Sequence, residues 1–262
     1  MLRNYPESNR HLKVLYHRTT SVTAQNLARA LGIGYTKSPG ENEVVAIRWG
    51  SSVEHCNDIA LNPPEAVELA ADGLRSLEVL HESAVPSVQI SRDPPEEDSV
   101  YPLIARGKIN HIAGNDIEFV TCYEEAINSG AKYFTHYRKA DKELRVHVFN
   151  GEPLRVFRKV PRENDADMVI KTSEHGWGYH ITNHKKYYHR AQSIAVKAVE
   201  ALGLNSGGVD MGWNEEDREY FVFEVNSGPA LNSVTLEHYA EKFREYLEGS
   251  DCGYTRVEFE VE

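Results

Sequence analysis

Apolar and polar residues alternate with a period of two along residues 220–226, where Phe221, Phe223 and Val225 interleave with Val222, Glu224 and Asn226. The pattern predicts a strand carrying Glu224 and Asn226 on one face. The run from Gly207 to Met211 predicts its partner, with polar residues 214–218 as the tip between them. Short apolar runs at residues 12–16 and 44–49 predict buried strands, and residues 24–31 fit a helix between them, stopped by Gly32 and Gly34. Asn62-Pro-Pro-Glu opens a further helix with Asn62 as its N-cap; Ala66, Leu69, Ala70, Leu74, Leu77 and Leu80 keep helical spacing to His81. Strands are expected at 101–105, 117–120 and 133–135, with a short helix at 124–129. Asn150-Gly151 between apolar runs 144–149 and 154–160 is a two-residue hairpin signal. Residues 162–177 read as a polar excursion, 185–202 as a helix closed by Gly203, and 235–247 as a last helix. Antiparallel hairpins with helices on one face make an α+β fold.

The 262 residues, 40% hydrophobic and 26% charged, suffice for a real core in one large domain or a few lobes. A net charge of −11 disfavours nucleic acid as a bulk partner, because a duplex binder carries a basic face. The local cluster Arg155, Arg158, Lys159 and Arg162 suits an anionic small molecule instead. Three dispersed cysteines, Cys56, Cys122 and Cys252, fit a reducing compartment, and no apolar run has signal-peptide or membrane-spanning length. A cytoplasmic, membrane-free protein is expected.

The chemistry concentrates on the predicted hairpin. If it turns near Asp217, Asp210 lies opposite Glu224, and two facing carboxylates repel. A hard divalent cation removes that cost by taking oxygens from Asp210, Glu224 and Asn226, which predicts a magnesium site on a sheet. On the strand beginning near Glu143, alternation places Glu143, Arg145 and His147 on one face, and the permanent bidentate cation of Arg145 suits a phosphate. A third candidate is Pro102-Leu-Ile-Ala-Arg106-Gly-Lys108, a strand ending in cations ahead of a glycine-bearing loop.

In this order, Asn-Pro-Pro-Glu, Pro-Leu-Ile-Ala-Arg, Glu-Leu-Arg-Val-His-Val, Gly-Val-Asp and Phe-Glu-Val-Asn-Ser-Gly-Pro, the segments resemble the ATP-grasp superfamily, and within it the RimK-like carboxylate–amine ligases. The resemblance covers roughly residues 60–248. It implies two α+β lobes gripping ATP: a pre-ATP-grasp lobe at 1–61, lobe A at 62–135, lobe B at 136–250 and a tail at 251–262. It implies a ligase that activates a carboxylate as an acylphosphate and joins it to an amine, with ATP and Mg2+, Mn2+ being the alternative cation. Carried over by position, Asp210, Glu224 and Asn226 hold the metal, and Arg106 and Lys108 contact phosphate. Gly114 belongs to the loop that closes over the phosphates. Phe134, Thr135, His136 and Tyr137 form the hinge with backbone contacts to adenine, and Glu143 binds the ribose hydroxyls. Arg145 fits the phosphate end, Arg158 or Lys159 contacts the γ-phosphate, and Ser227 and Gly228 border the acceptor. The implied partners are small-molecule or peptide carboxylates and amines; separately, an exposed strand edge of the first lobe could pair two chains as a homodimer. The sequence departs from the family at Asp72-Gly73, where many members carry a lysine that reaches ATP. That departure motivates two alternatives, a nucleotide-binding protein without ligation and an ATP-grasp kinase.

Overall fold

The computed structural model describes residues 5–17, 21–108, 117–162, 169–171, 175–182 and 188–257. Gly114 and the rest of the expected phosphate loop at 111–115 lie outside the described residues. The chain divides into two compact units: Met1–Glu68 with Gly203–Gly207 and Ser227–Glu262, and Leu69–Leu202 with Gly208–Asn226. No helix among the described residues is long and apolar enough to cross a membrane.

The first unit is built on a parallel sheet. Its strands are β1 (Leu12–Tyr16), β2 (Gly34–Thr36), β3 (Val44–Trp49) and β4 (Asp58–Leu61), in the order β2-β1-β3-β4. Helix α1 (Val22–Leu31) starts at Ser21, whose hydroxyl accepts the Ala24 N–H, and ends at Gly32 with φ 65°. Buried Ala24, Leu27, Ala28 and Leu31 form its core stripe. The last helix, Ser233–Glu248, belongs to this unit too. Trp49 meets Tyr239 and Phe243 edge-on at 5.4 and 6.3 Å between ring centres, and the Tyr246 hydroxyl donates to the Ile59 carbonyl at 2.7 Å. Gly228 packs against Gly50: a Cβ there would stand 2.7 Å from the Gly50 nitrogen.

Asn62 does not cap a helix. It is fully buried at φ 66°, and its Oδ1 accepts the N–H groups of Asn205 and Ser206. Its Nδ2 donates to the Ser206 and Ser227 carbonyls. The helical run after it is broken: α2 spans Pro64–Ala71 and α3 Gly73–Glu82, with Asp72 between them accepting from the Leu74 and Arg75 N–H groups. An aspartate with a competent side-chain acceptor starts a new helix where apolar spacing alone continues the old one.

The second unit holds two antiparallel sheets. The first runs β5 (Ile90–Ser91), β8 (Tyr133–His136), β6 (Leu103–Arg106), β7 (Ile117–Val120), with α4 (Tyr123–Asn128) against it. Leu103, Ala105, Val120, Ala126 and Phe134 form its core. The second runs β11 (Trp177–Ile181), β10 (Glu152–Pro161), β9 (Lys142–Phe149), β12 (Ser206–Asn214), β13 (Glu219–Asn226), and α5 (His189–Ala201) covers one of its faces. Asn150 and Gly151 both have positive φ, 44° and 76°, as the tight turn between β9 and β10 requires. β11 begins at Trp177, the last residue of the predicted polar excursion, in a stretch where no strand is expected from the sequence. One short stretch serves both sheets: Val88 N–H donates to Val222 O and Val222 N–H to Pro86 O, and Ile90–Ser91 then pairs with β8.

Asp210 pairs with Glu224 across the β12–β13 ladder, the register expected from the turn. Beyond it the register shifts, so Met211 faces Val222 and Phe223 is the extra residue of a bulge. The bulge changes the parity of the strand. Val222 therefore leaves the face it was expected to share with Glu224 and is buried completely.

Candidate functional site

One face of the five-stranded sheet gathers the side chains that the hairpin singled out. Arg145 on β9 lies beside β12, and its guanidinium grips Asp210 in a bidentate pair, Nε to Oδ1 at 2.6 Å and Nη2 to Oδ2 at 2.5 Å. The Tyr179 hydroxyl donates to Oδ1 at 3.3 Å, and the Arg145 guanidinium stacks 4.5 Å above the Tyr179 ring. Asn226 Nδ2 reaches Asp210 Oδ2 at 3.4 Å and Glu224 Oε1 at 3.0 Å. The repulsion anticipated between Asp210 and Glu224 is thus met by a protein cation, Arg145, and a carboxamide bridge.

The electrostatics separate the two carboxyls. Burial pushes Asp210 up, but the Arg145 charge and hydrogen bonds, with Lys159 behind, bring it down to about 2. Burial and the adjacent Asp210 charge raise Glu224. Burial opposes the charged form of Arg145, yet Asp210 more than compensates and raises it. Burial and the Asp210 charge also hold the Tyr179 phenol up, in its neutral form. Beneath them His147 is 2% exposed; burial and the Arg145 charge push it down to about 3, so the ring is neutral.

A second group lies along the same face. Glu143 accepts from Lys159 at 2.9 Å and faces Lys171 at 3.3 Å. Lys171 also donates to the Ala140 carbonyl at 2.8 Å and sits 5.4 Å over the Trp177 ring. Arg158 does not join them. It pairs with Leu144 and His180 across the ladder, one step out of phase with Lys159, and its side chain is exposed on the other face.

From the four-stranded sheet, Arg106 ends β6 opposite Tyr133, and its Nη2 approaches Thr135 Oγ1 at 3.5 Å. Its Nε is buried and has no hydrogen-bond partner among the described residues. Burial pushes the Tyr133 phenol up to about 12, with the Arg106 charge opposing and Glu224 adding to the rise. Tyr133 therefore feels charges from both sheets. Lys108 is exposed at the edge of the described segment.

The residues expected to form the hinge are engaged in the sheet. Phe134 is 2% exposed in the core, and Phe134 and Thr135 pair with strands on both sides. The N–H groups of His136 and Tyr137 donate to Gln89 O and Pro102 O. His136 Nε2 meets Ser91 Oγ at 3.0 Å, and burial lowers its pKa.

The donor chemistry fits a hard cation and a phosphate. Asp210, Glu224 and Asn226 offer oxygens, and the Arg106 Nε is a buried donor facing no acceptor among the described residues. Among the described residues no group of three or more His, Cys, Asp or Glu side chains forms a metal cluster, so a metal here would rest on two carboxyls and the Asn226 carboxamide. Sequence reasoning passed over Tyr179, whose signal was the short alternation Trp177-Gly-Tyr-His-Ile inside a polar stretch.

No family model matches the chain, and no curated protein matches its sequence. Solved structures do. The ligase PsnB complexed with minimal precursor, Mg and ADP superposes with TM-score 0.63 at 13% identity, over 90% of this chain and 96% of that one. The chain has the ATP-grasp ligase fold. D-alanine–D-alanine ligase from Bacillus anthracis complexed with ATP matches with TM-score 0.63 at 12% identity, over 90% and 92% of the two chains. D-cycloserine synthetase DcsG gives 0.65 at 15%, over 90% and 99%. In this ATP-grasp fold the carboxyl hairpin is β12–β13, and the cations acting on it come from β9 and β10.

Proposed function

We propose that the chain is an ATP-dependent ligase that joins a carboxylate to an amine. One observation carries this reading: an ATP-grasp fold sets Asp210, Glu224 and Asn226 on one sheet face with Arg145 and Lys159, while Arg106 offers a buried donor with no partner among the described residues. Asp210, Glu224 and Asn226 would hold magnesium, or manganese as the alternative, and the metal would supply charge neutralisation at the nucleotide phosphates. Arg106, Lys159 and Arg145 would place positive charge where the γ-phosphoryl group leaves ADP for the acid's carboxylate oxygen. The amine then forms the new C–N bond and phosphate departs. Glu143 would accept from the ribose hydroxyls, and the four- and five-stranded sheets would be the two gripping lobes. The Glu-Leu-Arg-Val-His-Val and Glu-Val-Asn-Ser-Gly-Pro segments support a RimK-like placement, and the dispersed cysteines a cytoplasmic setting. The substrates would be small-molecule or peptide acids and amines, and two copies could pair along the edge strand β2.

The test is magnesium-dependent phosphate release from ATP across pools of acids and amines, with coupled product detected by mass. Asp210→Ala and Glu224→Ala should each abolish release; full activity in either would sink the metal assignment. The closed Arg145–Asp210 pair favours a second reading, nucleotide binding without ligation, since both groups are already neutralised. Tight ATP binding by calorimetry with no turnover for any acid–amine pair would select it.

A further inference from the structure

We infer that Lys171 is a positioning residue: it keeps Glu143 paired when Lys159 turns from Glu143 to the phosphates of a bound nucleotide. The inference rests on the nucleotide reading above and deepens it. One carboxylate stands between two ammonium groups, and all three are withdrawn from solvent, with side-chain exposures of 11% for Glu143, 15% for Lys159 and 10% for Lys171. A single counter-ion would suffice to neutralise Glu143, so one lysine is in excess.

The two lysines are held differently. Lys171 is anchored on its own account, by the Ala140 carbonyl and the Trp177 ring as well as by Glu143. Lys159 has one hydrogen bond among the described residues, to Glu143 Oε2, and its ammonium lies 5.7 Å from the centre of the Tyr179 ring. Its charge also acts on Asp210, so it already borders the carboxyl hairpin. Among the described residues Lys159 lacks the backbone bond that Lys171 makes to Ala140, so it is the one able to exchange Glu143 for phosphate. Without Lys171, its departure would leave Glu143 as a withdrawn, unpaired charge, and removing one partner of such a pair is costly. With Lys171 in place the exchange leaves each charge matched: Glu143 keeps Lys171, and Lys159 meets phosphate.

The probes are MgAMP-PNP, whose phosphates draw Lys159 away, and adenosine, which has none. Both are measured by calorimetry on the full chain. Lys171→Met should weaken MgAMP-PNP about tenfold or more while adenosine binding stays within about twofold. Lys171→Arg should bind both like the wild type. In a Glu143→Gln background, Lys171→Met should carry no further penalty, because no carboxylate remains to be left unpaired. The inference is overturned if Lys171→Met binds MgAMP-PNP normally, if it loses adenosine equally, or if the penalty persists beside Glu143→Gln. Should Lys171→Met not fold, the comparison of E143Q with E143Q/K171M decides by itself: equal affinities support the inference and a weaker double variant overturns it. A wild-type chain that binds neither probe would instead overturn the nucleotide reading itself, so the two failures are distinguishable.

Discussion

Asp210 is the residue on which most of the site turns. Its oxygens accept from Arg145 twice, from Tyr179 and from Asn226. Arg145 is 14% exposed, so Asp210→Ala should leave a withdrawn guanidinium without its partner and cost about 3 kcal/mol or more. Asp210→Asn, which keeps two acceptor sites, should cost less; urea midpoints of the two variants give the comparison. His147 makes a separate prediction, in pH. The native ring stays neutral down to about 3, against an ordinary value of 6.5. Between those values the unfolded chain binds a proton that the native chain refuses, so stability is full above the upper value and falls with pH below it. At pH 5 the contribution lost is about 2 kcal/mol. His147→Leu should show that much less acid destabilisation than wild type between pH 7.5 and 5, and parallel curves would remove His147 as the cause. The face shared by Glu143 and Arg145 was readable by alternation. The Arg145–Asp210 pairing was not, because nothing in the sequence says that β9 and β12 are neighbours.

Elements announced themselves where local chemistry and packing agreed. Strands at 12–16, 44–49 and 117–120 begin and end where their apolar runs do, and Asn150-Gly151 turns as its residues demand. Three features escaped for physical reasons. β11 is a five-residue edge strand whose alternation is diluted by Gly178 and His180. The bulge at Phe223 is a property of the pairing, not of the strand alone. The break at Asp72 lies inside an apolar repeat that carries on through it, since Ala70, Leu74 and Leu77 keep their spacing. Asp72→Ala should therefore remove the cap of α3 and lower stability by about 1 kcal/mol. Asp72→Ser should recover most of it in urea melts; an unaffected alanine variant would mean that the α2–α3 run needs no cap.

For the whole molecule, the chain path matters more than composition. The first unit draws on three separate segments and the second on two, which no periodicity reveals. Asn62 holds the first unit's segments together, bonding Asn205, Ser206 and Ser227 from φ 66°. Asn62→Ala should lose these bonds and strain a left-handed position, costing about 2 to 4 kcal/mol. Asn62→Gly, which relieves only the backbone, should remain well below wild type; a glycine variant as stable as wild type would assign the residue's value to its dihedral angle alone. The same asparagine sets an order in time. Its partners lie 143, 144 and 165 residues downstream, so on the ribosome the amino-terminal sheet emerges long before the groups that will satisfy its buried carboxamide exist. We expect nascent chains stalled before residue 205 to be cleaved by protease near Asn62, and chains stalled well past the last helix to resist.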